Sequence, residues 1–323
     1  MGDEQKFGWC FIGTGKLAGI VAKEIIASGR HKIVSVYTRR RESGEIFCED
    51  YGGTYYESAA DAITAKGVDG VYVVTPHRSH YEYARAALLN DKPVLCEKAF
   101  TVNYKDAKEL IDIAREKKVY IAEAMWTWFS PVGLQVKKWL DNGEFGAVKD
   151  CLVDCRTNAQ DYAPRVTDPA AAGGALLDMG VYATYYLYKL FGRPDSVTCT
   201  GDVRSGIDWS EEILFNYADG RTFKALASVN DEGADANMKL IGDKASINLP
   251  HLHYASHAEF IDSDNVRKEF DGNGSYINEF DIVASEIREG LVESRYVTHE
   301  DTLTIMSILD ECRRQIGLKY DFE

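Results

Sequence analysis

The chain has 323 residues, 45% hydrophobic and 27% charged, with 37 basic against 51 acidic side chains and a formal charge of −14. That length accommodates two domains, each with its own core, and the composition is that of an ordinary globular protein. The acidic balance disfavours nucleic acid and anionic membrane as partners, although helix N-termini and a few local arginines still permit an anionic small molecule.

In chain order, residues 7–12 read as a strand and 16–27 as a helix with Leu17, Ile20, Val21 and Ile25 on one side. Strands at 32–37, 54–56, 70–75, 93–96 and 119–122 then alternate with helices at 41–50, 58–65, 79–89 and 105–117. Mostly uninterrupted apolar strands between helices predict an α/β domain with a doubly wound parallel sheet over residues 1–125. The character changes after residues 126–131. A helix is expected at 132–142, stopped by Gly143. Strands follow at 148–157, 196–203, 211–217, 222–229, 237–241, 245–249, 257–262 and 266–270. Ala218-Asp219-Gly220 signals a hairpin, and one long helix at 174–191 interrupts the run. Residues 126–323 therefore read as an α+β domain with a large, mostly antiparallel open sheet. A last helix at 301–315 is expected to pack back on the first domain.

The seven cysteines are scattered, with no C-x-x-C. Cys151 and Cys155, on one strand, would stand about 13 Å apart, too far for a disulfide. A reduced, cytoplasmic setting is expected, and no metal site. The first residues carry no basic segment leading into a long apolar stretch, so neither export nor a membrane span is expected.

Three stretches carry chemistry. Gly13-Thr14-Gly15-Lys16-Leu17-Ala18 follows the first strand and opens the first helix, matching G-x-G-x-x-G/A. The first glycine permits the tight turn, the second lets the backbone approach a pyrophosphate at the helix N-terminus, and small Ala18 allows close helix–strand packing. The second strand ends Tyr37-Thr38-Arg39-Arg40-Arg41, with no acid until Glu42. Arginine offers bidentate hydrogen bonds to phosphate, so Thr38 and Arg39 favour NADP, with NAD as the alternative. Thr75-Pro76 closes the fourth strand where a nicotinamide ribose could lie, and His80 stands within reach of it.

Glu97-Lys98-Ala99 places a charge pair at the end of an apolar strand, the edge where open α/β sheets bind ligands. A lysine there can stabilise developing negative charge; as a surface pair it would contribute little. Gly173-Gly174 leads into Asp178 and Tyr182, which on one helix stand about 40° apart at i and i+4. Gly180 between them allows a close approach.

The G-x-G-x-x-A turn, Thr75-Pro76 with His80, Glu97-Lys98, and Gly-Gly-x-x-x-Asp-x-Gly-x-Tyr occur in one order over nearly the whole chain. Together they resemble the glucose–fructose oxidoreductase/inositol dehydrogenase/MocA family. Glu123-Ala124-Met125-Trp126-Thr127 is similar to the branch of dimeric dihydrodiol dehydrogenases and NADP-dependent xylose dehydrogenases. The resemblance implies a Rossmann domain followed by an α/β domain whose open sheet supports a homodimer. Lys98, Asp178 and Tyr182 match the family's catalytic positions, and the implied substrate is a sugar, polyol or diol. Two departures stand out. Ala99 replaces the proline of Glu-Lys-Pro and removes a conformational lock beside Lys98. Trp128 replaces the arginine of Trp-Thr-Arg-Phe, which bears on substrate preference.

The implied reaction is reversible hydride transfer between a carbinol carbon and nicotinamide C4. A free tyrosine, with pKa about 10, is a poor base at neutral pH, and a neighbouring ammonium would make it a better one. Tyr182 is therefore the expected acid/base, Lys98 its electrostatic partner, and Asp178 the group orienting lysine or substrate; Lys98 as direct base is the rival. Substrate contacts are expected among Trp126, Trp128, Arg156, Asp161, Tyr162 and Arg165. Two alternatives stay open: a non-catalytic NADP-binding regulator of the same fold, and a sugar-ketone reductase of the 1,5-anhydrofructose type.

Overall fold

The computed structural model describes residues 6–161, 163–231 and 236–323. Contacts between Cα atoms divide the chain into two compact units. Residues up to Trp126 group with Ser275–Thr302, and Thr127–Gly274 group with Leu303–Glu323.

In the first unit six strands, β1 (Phe7–Ile12), β2 (His31–Tyr37), β3 (Thr54–Tyr56), β4 (Gly70–Val73), β5 (Val94–Glu97) and β6 (Ile121–Ala124), form one sheet in the order β3-β2-β1-β4-β5-β6. Every pairing is parallel. The crossovers are α1 (Lys16–Ala27), α2 (Arg41–Tyr51), α3 (Ala59–Thr64), α4 (His80–Leu89) and α5 (Tyr104–Lys117). Strands β1, β4, β5 and β6 are buried at every position. Cover on both faces of the sheet is the reason they read as unbroken apolar runs. The order reverses between β1 and β4, so the carboxyl ends of those strands flank the crevice where such sheets bind ligands.

Strand β6 lies two residues later than the expected 119–122. Glu123 looks like a strand terminator, yet it is buried inside β6. Its carboxylate accepts from Phe100 N–H (3.0 Å) and from the Thr302 hydroxyl (3.1 Å).

In the second unit α6 (Pro131–Asp141) precedes an eight-stranded sheet. Its strands are β7 (Val148–Arg156), β8 (Ser196–Arg204), β9 (Ile207–Asn216), β10 (Thr222–Ser228), β11 (Asn237–Gly242), β12 (Ala245–Pro250), β13 (His257–Asp262) and β14 (Arg267–Asp271). They run in the order β14-β13-β12-β11-β7-β10-β9-β8. Only the β7–β10 pair is parallel. The long helix between β7 and β8 is not uniform: Leu176–Gly180 is a π-helical stretch that runs into α7 (Val181–Phe191).

Two C-terminal helices depart from the expected layout. No element is expected between residues 270 and 301, yet α8 (Ile277–Arg288) forms there, with Phe280, Val283 and Ala284 on its buried face. Phe280 packs edge-on to Trp9 (4.9 Å) and Tyr72 (5.0 Å), and Glu24 on α1 accepts from Ser275 Oγ (2.6 Å) and Ile277 N–H (3.2 Å). Ser275–Thr302 therefore groups with the parallel sheet. Helix α9 (His299–Ile316) instead groups from Leu303 onward with the second unit. Gln315 accepts from Cys199 N–H (2.7 Å) and donates to Val197 O (2.9 Å), tying the helix end to β8. Among the described residues no helix is long and apolar enough to cross a membrane.

Candidate active site

The turn after β1 is built around two glycines with different jobs. Gly13 has φ +112°, and a Cβ there would lie 2.6 Å from Val74 O, so the position admits only glycine. Its N–H donates to Tyr37 O at 2.8 Å. Gly15 has an ordinary φ of −74°, and a Cβ would meet nothing within 4 Å. It caps α1, which has no side-chain cap and no acid in its first turn. A helix start of this kind favours an anion. Thr14 and Leu17 are half-buried, Lys16 is exposed, and Ala18 is fully buried against the sheet.

At the end of β2, Thr38 is half-buried and Arg39 exposed. Arg41 is already bridged to Glu45 (2.8 Å) and Glu57 (2.6 Å). At the end of β4, Thr75 and Pro76 are half-buried, and Thr75 Oγ1 is buried with no hydrogen-bond partner. His80 is fully buried. Its ring nitrogens lie 2.7 Å from Thr75 O and 2.9 Å from Ala99 O, so the side chain ties the β4 loop to the residue after Lys98.

Lys98 follows β5 directly and is buried, with the Lys98–Ala99 peptide cis although residue 99 is not proline. Glu97 turns inward, and its Oε1 accepts from the Tyr72 hydroxyl at 2.5 Å. Burial and the neighbouring Glu97 and Glu279 carboxylates push the Tyr72 phenol well up, so it remains a donor.

In the second unit the double glycine sets the place of Asp178. A Cβ on Gly173 would lie 2.6 Å from Val166 O and 2.7 Å from Arg165 O; one on Gly174, at φ +127°, would lie 1.9 Å from Asp208 Oδ1. Only bare backbone can pass there, and Asp208 uses that proximity to accept from Leu176 N–H at 2.5 Å, holding the start of the helical run. The 165–166 backbone is thereby drawn close, and Arg165 Nη2 donates to Asp178 Oδ1 at 2.7 Å. Asp178 and Tyr182 are both buried, and the Tyr182 ring lies 6.3 Å from that of His253. The π-helical stretch replaces the regular i, i+4 helix expected between them. Gly180 serves packing: a Cβ would stand 3.1 Å from Leu176 Cδ1 and 3.6 Å from Ala227 Cβ on β10.

The expected substrate contacts separate. Arg165 joins Asp178. Trp126 stacks on Tyr276 (4.4 Å), and Trp128 is buried against Tyr186 (5.3 Å). Arg156 is held by Asp154 (2.7 Å) and Asp231 (2.7 Å). It pairs in register with Ser228, and strand alternation turns it to the face opposite Ala227 and the helix carrying Asp178. Asp161 ends the short turn Ala159–Asp161; its side chain and Tyr162 lie outside the described residues. His257, Glu259 and Glu269 come within 4.8 Å of one another, but Arg267 already bridges Glu259 (3.1 Å) and Glu269 (3.7 Å).

A glycine cradle with open space at Gly15, an orphaned buried Thr75 Oγ1 and an arginine at the end of β2 fit a dinucleotide at the carboxyl edge of the parallel sheet. That combination defines the class as Rossmann-type dinucleotide-binding proteins. The chain belongs to the GFO/IDH/MocA oxidoreductase family. Residues 7–124 match its domain described as "Oxidoreductase family, NAD-binding Rossmann fold", and residues 134–248 match the GFO/IDH/MocA C-terminal domain. It is similar to D-xylose 1-dehydrogenase (NADP(+)) of Hypocrea jecorina, 26% identical over 99% of this chain and 94% of that protein. It is also similar to trans-1,2-dihydrobenzene-1,2-diol dehydrogenase of Xenopus laevis, 28% identical over 97% of this chain and 98% of the other. The fold matches that of aldose-aldose oxidoreductase from Caulobacter crescentus with a TM-score of 0.85 at 19% identity, covering 97% of this chain and 98% of that one.

Proposed function

We propose that the chain is an NADP-preferring dehydrogenase acting on a CH–OH group of a sugar, polyol or trans-dihydrodiol. The observation that carries this reading is Lys98 at the carboxyl edge of the same parallel sheet whose β1–α1 turn leaves room for a pyrophosphate. The relatives named above, matched over almost their whole length, supply the substrate class.

Gly13, Thr14, Gly15, Lys16 and Leu17 would hold the pyrophosphate, Thr38 and Arg39 the 2′-phosphate, and Thr75 and Pro76 the nicotinamide ribose. When bound, NADP supplies the hydride acceptor. The protein's own residues handle the proton. Tyr182 takes it from the substrate hydroxyl and returns it in the reverse direction, Lys98 stabilises charge on the oxygen, and Asp178, fixed by Arg165, orients lysine or substrate. His80 and Glu97 would lie beside the cofactor as well, their contacts to Thr75, Ala99 and Tyr72 holding the strand ends.

Two further features belong to this reading. Leu152, Leu214 and Leu226 share the half-buried sheet face opposite α7, which supports a homodimer formed through that sheet. All seven cysteines are free, as a cytoplasmic protein requires.

The function is tested by incubating the protein with NADP and a panel of aldoses, inositols and dihydrodiols while following nicotinamide absorbance. Reduction with at least one member is expected. NADPH binding without turnover on any member would instead make the chain a dinucleotide-binding regulator.

A further inference from the structure

Behind the helical run that carries Asp178 stand two buried carboxyl groups that the proposed chemistry does not use. Asp208 and Glu211 lie on β9 three residues apart, a spacing that in a regular strand turns side chains to opposite faces. A bulge removes that difference. Val203 of β8 pairs with Asp208 and Asp202 with Ser210, so Trp209 is an extra residue on β9. Both acids therefore face the core, 0% and 4% exposed. Glu211 pairs in register with Ala227, against which Gly180 packs.

The two side chains are in hydrogen-bond contact with each other. Asp208 Oδ2 also accepts from Leu176 N–H at 2.5 Å. Among the described residues no N–H, and no hydroxyl of another side chain, reaches Asp208 Oδ1 or either oxygen of Glu211. The groups facing the pair are Cys199 of β8, Cys312 of α9 and Tyr320. A hydrogen bond to Cys199 and burial push the Cys312 thiol well up. Burial does the same to the Tyr320 phenol, whose hydroxyl donates to Gly173 O at 2.7 Å. The Arg313 guanidinium lies 4.9 Å over the Tyr320 ring and is bridged to Glu323 and Asp310.

Ionised carboxylates only accept, so contact between two of them requires a proton. Asp208 has the Leu176 N–H to stabilise its charge, whereas a charge on Glu211 would be buried without a donor. The proton therefore belongs on Glu211. Burial first, and then the Asp208 charge and hydrogen bond, push the Glu211 carboxyl well above the usual carboxylate range.

We propose that Glu211 is a neutral carboxylic acid donating to Asp208, and that it is thereby a positioning residue for Asp178. Held by the Glu211 hydroxyl as well as by Leu176 N–H, the Asp208 carboxylate stays beside bare Gly174 and cannot turn away. Leu176 opens the π-helical stretch and stands two residues before Asp178. The positioning role rests on the proposed dehydrogenase function; the protonation state does not.

The test compares wild type with Glu211→Gln and Glu211→Asp. With glutamate labelled with carbon-13 at its carboxyl carbon, the NMR resonance that disappears in Glu211→Gln identifies Glu211. At pH 7, where an ordinary glutamate with pKa about 4.3 is ionised, that resonance should lie at the position of a protonated acid. A carboxylate position overturns the proposal, whatever the activity. Every other buried acid, Glu279 included, is present in both proteins and drops out of the comparison. Glutamine keeps a neutral donor of the same length, so its kcat should stay within about threefold of wild type, as expected for exchanging one neutral hydrogen bond. Aspartate keeps the acid but withdraws the hydroxyl, so kcat should fall about 10-fold or more while the NADPH Kd is unchanged. Equal kcat in all three proteins, or glutamine as impaired as aspartate, overturns the positioning role. Should Glu211→Asp fail to fold, Glu211→Leu, which fills the site without a donor, takes its place with the same expected loss. The NMR arm uses no substrate, so its failure is separable from failure of the dehydrogenase reading.

Discussion

Replacing Gly13 and Gly15 separately by alanine should divide the work of the β1–α1 turn into folding and binding. At Gly15 the backbone is in a region alanine adopts freely, and the new methyl meets nothing within 4 Å. Alanine is a poorer helix cap than glycine by about 1 kcal/mol at most, against a gain of about 0.4–1 kcal/mol from a stiffer unfolded chain. The net change should lie within about 1 kcal/mol, a Tm shift of about 2–4 °C or less. The methyl nevertheless occupies the space assigned to the pyrophosphate. Losing one charge-assisted hydrogen bond costs about 1.5–3 kcal/mol, so NADPH should bind about 10- to 100-fold more weakly. At Gly13 the order reverses. A φ of +112° and a Cβ 2.6 Å from Val74 O should cost about 3 kcal/mol in strain and contact, lowering Tm by about 6–12 °C. Thermal unfolding and a fluorescence titration with NADPH read both variants. Wild-type NADPH affinity in Gly15→Ala, or wild-type Tm in Gly13→Ala, would refute the assignment of the turn.

Tyr182→Phe should lower kcat by about 10²–10⁴-fold, the usual contribution of general acid–base catalysis, with the NADPH Kd nearly unchanged in the same titration. Unaltered turnover would remove the phenol from the chemistry. Arg39→Ala should weaken NADP by about 10-fold or more through loss of a charge-assisted phosphate contact while leaving NAD almost unaffected. Equal losses for both cofactors, measured by titration of each, would contradict the 2′-phosphate assignment.

The first unit was legible in the sequence because its signals are local. An unbroken apolar strand, two glycines at fixed spacing and an amphipathic helix are read within twenty residues, and the glycine positions carry the conformations expected of them. What escaped depends on residues far apart in the chain. Asp208 reaches the Leu176 N–H across 32 positions, and no local pattern announces it or the π-helical stretch it holds. Arg156 follows an alternation of buried Cys151, Val153 and Cys155, so its parity alone places it on the other face. Glu123 and Glu279 were disguised for a shared reason. Each is an acid at a position whose neighbours mark it as core, at i+2 from Ile121 in a strand and beside Phe280 on the apolar side of a helix. An acid in phase with the core belongs inside the element rather than at its end, and at Glu123 it marks a buried polar contact. Helix α8 carries the same kind of signal, since Phe280, Val283 and Ala284 repeat at helical spacing around Glu279.

The central claim, hydride transfer at a carbinol carbon, is tested most directly by following the label. The protein is incubated with NADPH deuterated at nicotinamide C4 and with the carbonyl forms of the sugar, inositol and diol panel. The products are then analysed by mass spectrometry and NMR. Deuterium on the newly formed carbinol carbon of at least one product is the predicted result. Deuterium retained in NADPH across the whole panel, with the cofactor shown to be bound, would contradict the account.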